Sequence, residues 1–198
     1  MNLLVIESSG SEGSVAAICD GNVAGVWEFQ SPRGRGGAMF PALEAAVKAC
    51  GPLDRVVVGT GPGGYNGLRM AMAAGWGIAR AHGAKLFGVP SLLGYDAPEY
   101  FAAGDARGGR WFLAKVASGS FIEEPTLLDP AELRQRLVPG LPVFVNGSAA
   151  DMLPGAVSLA PRADILAGRE ASFGPAEPLY LKPPHITVPS AKPPLIRG

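Results

Sequence analysis

Glu7, Ser8 and Ser9 close an apolar run, Asn2–Glu7, and form the first group in the chain with chemical capacity. A carboxylate at a strand end can hold magnesium, and a small polar turn behind it can receive a phosphate. The bland alternative is a solvated acid beside two turn serines. Either serine would need an adjacent base to act as a nucleophile, and no histidine lies near in sequence. The two histidines are elsewhere: His82 at a helix C-terminus, where a cation is favoured anyway, and His185 in a proline-rich tail. Cys19 and Cys50 lack metal-type spacing. They read as small reduced core residues of a cytoplasmic protein. Catalytic residues and metal ligands are therefore both expected to be none.

A second group is the glycine-rich turn Gly59-Thr60-Gly61-Pro62-Gly63-Gly64, which follows the apolar run Val56–Val58. It matches the G-x-G-x-x-G dinucleotide pattern. That pattern needs an acidic residue closing the next strand, and Lys85–Val89 ends without one. No Gly-Lys-Ser/Thr follows, so a Walker A loop is excluded. The remaining reading is a tight turn that aims a helix N-terminus, with Gly61, Gly63, Gly67 and Arg69 as its structural residues. Such an N-terminus still offers N–H groups to an anion.

The helix so launched carries no charge between Arg69 and Arg80. Apolar on nearly every side, it must be covered by more than its own sheet, yet it is too short to span a bilayer. Ala71, Gly75 and Ala79, and again Ala73, Gly77 and Ala81, recur at four-residue spacing and invite a close partner. Two internal glycines, each costing about 1 kcal/mol against alanine, point to a packing reason.

These groups sit in a chain of 198 residues, 47% of them hydrophobic. This suits one domain or two small lobes and excludes a disordered chain. Lys and Arg number 17 and Asp and Glu 17, whereas a stand-alone nucleic-acid binder is usually basic. Glu7 interrupts the N-terminal apolar run, so no signal peptide or transmembrane segment is expected. Strands are expected at Asn2–Glu7, Ser14–Cys19 and Asn22–Gln30, the latter two joined by an Asp20-Gly21 hairpin. A glycine loop carrying Arg33 and Arg35 leads to a first helix over Ala38–Cys50, which Gly51-Pro52 stops. The Val56–Val58 strand, the apolar helix, a strand at Lys85–Val89 and a capped helix from Ser91 to Tyr100 follow. Beyond lie strands at the end of Asp105–Ala117, at Ser120–Leu128 and at Pro142–Val145, with short helices at Pro130–Leu137 and Arg162–Ala167. Three meandering strands followed by helix, strand, helix and strand is the order of the ribonuclease-H-like, actin-like ATPase fold. It is α/β, with a mixed sheet and helices, two lobes and a shortened second lobe. The expected divisions are residues 1–100, a smaller second lobe 101–172, and a tail 173–198 returning to the first lobe.

Gly61–Arg69 (GPGGYNGLR) resembles the Gly-Pro-Gly-Ser-Phe-Thr-Gly-Leu-Arg signature of the TsaB family, also called YeaZ. Val89-Pro90-Ser91-Leu92, Asp105-Ala106-Arg107 with Trp111-Phe112, and Pro178–Pro183 resemble three further stretches of that family. The similarity runs from Leu3 to about Pro184 and is thin between 118 and 170. Glu7-Ser8-Ser9 replaces the family's Asp-Thr-Ala/Ser, and glycines replace its usual histidine before helix one. The His-x-x-x-His metal pair of the catalytic paralogue, TsaD, has no counterpart here.

The resemblance implies a non-catalytic dimerization subunit of the complex that makes N6-threonylcarbamoyladenosine in tRNA. It would hold and activate a TsaD-type paralogue and recruit a small ATPase of TsaE type. It would have no cofactor of its own, ATP being used by the partner subunits, and would meet tRNA only through the complex. Glu7, Ser8 and Ser9 become a vestigial phosphate loop. The expected partner interface is Met39, Leu43, Ala46, Leu68, Ala71, Met72, Ala74, Gly75 and Ile78, with its outward side at Ala74 or Ile78. Self-association through the same helices stays open. The alternatives are a stand-alone actin-like ATPase or sugar-kinase-like phosphotransferase, and a self-associating dimer with no pathway role.

Overall fold

β1 (Leu3–Glu7) is buried at all five positions, and its two faces feed two different cores. A computed structural model describes residues 1–31 and 36–181. β1 pairs antiparallel with β2 (Glu12–Cys19), which continues through a hairpin into β3 (Asn22–Gln30). On its other side β1 runs parallel to β4 (Arg55–Gly59), and β4 runs parallel to β5 (Lys85–Val89). Parallel pairs need crossovers. Here α2 (Tyr65–His82) links β4 to β5, and α1 (Met39–Cys50) enters β4 from the meander. The first sheet thus has the order β3-β2-β1-β4-β5, that of a ribonuclease-H-like, actin-like lobe.

The second sheet has the order β10-β9-β6-β7-β8. Its strands are β6 (Glu99–Asp105), β7 (Trp111–Ala117), β8 (Ser120–Leu128), β9 (Val143–Val145) and β10 (Val157–Ser158), with α3 (Pro130–Arg136) on its outer face and α4 (Ala163–Ala167) following. Asp129 caps α3, its carboxylate accepting from the Ala131 and Glu132 N–H groups while Glu132 reaches back to the Asp129 N–H. This is a capping box, with Pro130 in the first turn, where its missing N–H costs nothing.

Strand alternation divides the interior into three cores. Leu4, Ile6, Val15, Ala17, Val56 and Val58 face α1 and α2. Leu3, Val5, Ala16, Ile18 and Val57 face the second sheet's Tyr100, Ala102, Phe112, Ala114 and Val116, with Leu92, Leu93, Tyr95 and Leu166 between. Phe101, Ala103, Leu113 and Val145 pack with Leu133 of α3 on the far side.

Two expectations are corrected. No helix spans Ser91–Tyr100: a single 3-10 turn, Ser91–Leu93, is followed by extended chain and then β6. Pro98 disfavours helix at its predecessor and lacks an N–H, while Leu92, Leu93 and Tyr95 are each buried between the sheets. Cys19 and Cys50 are not separate thiols but form a disulfide, joining the end of β2 to the end of α1. α4 packs on β1 and β2 of the first sheet. The Ala163 N–H at its start donates to the buried Ser14 Oγ at 2.9 Å.

From Phe173 the described chain crosses the first lobe. Gly174 exchanges two backbone hydrogen bonds with Gly88 on the outer edge of β5, and the Leu179 N–H donates to the Thr60 carbonyl. No described helix is long and apolar enough to cross a membrane.

Candidate functional site

The end of β1 delivers Glu7 into the interior, fully buried. The Ser9 N–H donates to Glu7 Oε1 at 2.7 Å, and the Ser91 hydroxyl donates to Oε2 at 2.6 Å. Ser91 Oγ in turn accepts the Gly61 N–H at 2.9 Å. Both carboxylate oxygens are thus occupied by donors of the same chain, and burial raises the carboxyl pKa against the opposing pull of Ser9 and Ser91. The three residues taken from sequence as a phosphate loop are brought together, but as an internal corner. Ser8 and Ser9 are buried as well.

The glycine turn closes over this corner. A Cβ at Gly59 would lie 1.9 Å from Glu7 Oε2, and one at Gly63 would lie 2.2 Å from the Ser9 carbonyl oxygen. The Gly64 N–H, at the head of α2, donates to that same carbonyl at 2.6 Å. One of the N–H groups that an anion would seek is therefore already paired. From the second sheet, the Asn146 amide sits against Gly10, where a Cβ would approach within 2.1 Å.

Against the glycine turn lies a pocket of about 180 Å³ lined by Pro62, Gly63, Asp105, Arg107, Phe112, Leu179, Tyr180 and Leu181. Sites for small molecules usually occupy about 300–1,000 Å³. Among the described residues no group of three or more His, Cys, Asp or Glu is placed to hold a metal ion. His82 serves the scaffold, its Nδ1 accepting the Leu53 N–H at 3.4 Å. His185, Arg33 and Arg35 lie outside the described residues.

The outer surface of α1 and α2 is a second candidate. Met39, Leu43 and Ala46 on α1, and Leu68, Ala71 and Gly75 on α2, all named from sequence as partner contacts, are buried against their own sheet. Each falls on the side that must cover β1, β2 or β4, so none offers side-chain area to a partner. Met72, Ala74 and Ile78 are half-buried on the flanks, so Ala74 and Ile78 are not the outward positions. The outward stripe is Tyr65, Arg69, Ala73, Trp76, Gly77 and Arg80, following the 3.6-residue period.

Trp76, absent from the sequence expectation, is 61% exposed, and Phe40 at the start of α1 is 55% exposed. The 65-69-73-76-80 spacing was the signal that could have found this stripe, had the helix been phased from its sheet-facing residues. The N-terminal end of the stripe is braced by the tail. Tyr180 stacks on Tyr65 with ring centroids 5.7 Å apart, and the Arg69 guanidinium lies 4.2 Å above the Tyr65 ring.

The family model for TsaD, tRNA N6-adenosine threonylcarbamoyltransferase, matches residues 38–105. That stretch runs from the start of α1 through β4, α2 and β5 into β6. An uncharacterized protein of Mycobacterium leprae is 34% identical over 110 residues, which cover 54% of this chain. The chain spans only 30% of the length of that curated relative. Among solved structures, YeaZ from Pseudomonas aeruginosa superposes with a TM-score of 0.71 at 20% identity, covering 91% of this chain and 99% of that one. A Pseudomonas aeruginosa protein described as similar to peptidase YEAZ gives the same TM-score at 21% identity and the same coverage. The chain has the YeaZ fold over nine-tenths of its length, and from α1 to β6 it is similar to the TsaD family.

Proposed function

We propose that this chain is a non-catalytic scaffold subunit of the machinery that forms N6-threonylcarbamoyladenosine in tRNA. It docks a TsaD-type catalytic paralogue on the outer face of α1 and α2, holds it in its active arrangement, and helps recruit a TsaE-type ATPase. The observation that carries this reading is the exposed Trp76 stripe, set within the stretch that matches the TsaD family. A relative built from the same segment would present a comparable pair of helices, so the two chains could pack helix pair on helix pair. Large exposed aromatics amid small residues are typical anchors of such contacts.

The internal use of Glu7 supports the non-catalytic part of the reading. The carboxyl is fully buried and each of its oxygens accepts a donor of its own chain, Ser9 N–H and Ser91 hydroxyl, which is a structural use of the group. The chain then has no nucleotide of its own, ATP being consumed by the partners, and tRNA is met through the complex. The stand-alone phosphotransferase finds no comparable support, because the corner it requires is filled by Gly63 and Asn146.

Co-expression of the tagged chain with the TsaD-type and TsaE-type subunits of the same genome tests the proposal. Trp76→Asp should abolish co-purification and tRNA modification while leaving the circular dichroism spectrum unchanged. Full assembly and modification with Trp76→Asp would refute it, as would robust ATP turnover by the purified chain alone.

A further inference from the structure

At about 180 Å³ the pocket beside the glycine turn falls short of the about 300–1,000 Å³ of an ordinary small-molecule site. It has room for one flat ring rather than a whole nucleotide. Part of its wall is Tyr180, which is 44% exposed. Tyr180 also stacks on Tyr65, with ring centroids 5.7 Å apart and 28° between the planes. The Arg69 guanidinium lies 4.2 Å from the Tyr65 ring centre, and its Nε–H donates to the Tyr180 hydroxyl at 3.4 Å. Arg69, Tyr65 and Tyr180 thus form a braced stack that ends at the pocket. The β6–β7 turn supplies Asp105 and Arg107, both exposed, and β7 supplies the buried Phe112. Asp105 Oδ1 accepts the Arg107 N–H at 2.7 Å. Arg107 itself has φ 60°, in the left-handed region. Residues other than glycine seldom adopt that region, and such conformations collect where ligands are held.

An aromatic face, a carboxylate acceptor and a guanidinium donor around a ring-sized space match the chemistry of a nucleobase. Its faces stack on aromatic side chains, and its edge carries both donors and acceptors. An aromatic side chain from a protein partner would use the stack but cover the Asp105 carboxylate without pairing it, which is costly. We propose that Tyr180 and the β6–β7 turn form a binding site for a single nucleobase. The base extends the Arg69–Tyr65–Tyr180 stack by one ring and meets Asp105 and Arg107 along its edge, with its ribose and phosphate outside the pocket. It comes either from an unpaired position of an RNA strand or from a free nucleotide. The site goes beyond the docking of a paralogue on α1 and α2 and does not depend on it.

The test titrates the full chain with a short fluorescent single-stranded RNA, the same strand made abasic, and AMP or UMP as competitor. One salt concentration is used throughout, because phosphate contacts alone are salt-dependent. Tyr180→Leu should weaken RNA binding about tenfold, the scale of one lost stacking contact, whereas Tyr180→Phe should retain it. The tail stays docked in both variants, because the Gly174–Gly88 backbone pair and the Leu179 N–H bond to the Thr60 carbonyl are untouched. Melting curves check this. Competition by a mononucleotide at matching strength would name the free nucleotide as ligand, and failure to compete would name the strand; either supports the site. Trp76→Asp, which tests docking, should leave this binding unchanged. Equal binding of the abasic strand would overturn the inference, as would unchanged affinity in Tyr180→Leu. Absence of any RNA or nucleotide binding would also overturn it and return the stack to a protein partner.

Discussion

The Ser91 hydroxyl donates to Glu7 Oε2 at 2.6 Å across 84 positions of the sequence. That bond ties the end of β1 to the turn after β5, and the Gly61 N–H on the same Ser91 oxygen ties in the glycine turn. A residue type suited to magnesium is used here as an internal clamp.

Replacing Glu7 therefore tests structure before chemistry. Glu7→Ala strands the Ser91 hydroxyl and the Ser9 N–H in a buried setting, at about 1–3 kcal/mol for each group. Glu7→Gln keeps the shape and most of the bonding, and should cost far less at neutral pH. Denaturant titration of the three proteins decides the point. Equal losses for Ala and Gln would show that the charge, and not the clamp, matters.

The pH dependence has a definite sign. Burial raises the Glu7 pKa in the folded chain, so the folded state binds this proton more tightly than the unfolded one. The resulting stabilisation is complete below the unfolded carboxyl value, about 4.3. It is lost as pH rises through the folded value. The stability of the native chain relative to Glu7→Gln should therefore fall as pH rises above the unfolded carboxyl value. A difference that stays flat or grows with pH would contradict the assignment.

How far the sequence reached depends on the range of the interaction. β3 and β5 were legible to the residue, because alternation and turn residues act locally. α1 was legible within one residue for the same reason. The Glu7 clamp was not, since nothing in Glu7-Ser8-Ser9 names Ser91 as a partner. The disulfide was hidden similarly: Cys19 and Cys50 are 31 positions apart, and only the packing of α1 on β2 brings their Cα atoms to 5.5 Å. The apolar character of α2 announced two covered sides, but not which side held the sheet. That phase is set by Leu68, Ala71, Gly75 and Ala79 against β4 and β5, and without it Trp76 was indistinguishable from core.

The Cys19–Cys50 bond closes a loop whose ends are 31 positions apart. By loop-closure entropy such a link contributes about 3–4 kcal/mol. Reduction should lower the denaturation midpoint accordingly while leaving the fold intact. The Asn2 side chain still donates to the Cys50 and Pro52 carbonyls, both at 2.9 Å, and holds the end of α1. Thiol counting by mass together with parallel melts checks this. An oxidised sample no more stable than the reduced one would show the link to be without consequence.

Ser14 Oγ accepts the Ala163 N–H in a buried position, which supplies an orphan donor of α4 with a partner from β2. Ser14→Ala should cost about 1–3 kcal/mol. Ser14→Thr should preserve the bond but must fit a methyl group beside the second sheet. Hydrogen exchange at Ala163 provides the local readout. Protection retained in Ser14→Ala would mean that the N–H finds another acceptor.

Gly75 and Gly77 sit two positions apart on α2 and should respond to alanine with opposite signs. A Cβ at Gly75 would lie 2.7 Å from Val58 Cγ1 on β4, so the buried Val58 side chain or the helix must shift. Gly75→Ala should therefore destabilise the chain, offsetting the about 0.5–1 kcal/mol that alanine otherwise gains over glycine in a helix. At Gly77 a Cβ meets nothing within 4 Å, and Gly77→Ala should stabilise the isolated chain by that about 0.5–1 kcal/mol. The glycine at 77 therefore carries a folding cost that its own chain does not explain, which is what a closely approaching helix would require. Gly77→Leu should accordingly leave the monomer folded and weaken docking of the partner, whereas Gly75→Leu should disturb the fold itself. Melting temperatures and partner affinity measured on all four variants separate these effects. Unimpaired docking by Gly77→Leu would mean that the partner does not reach this part of α2.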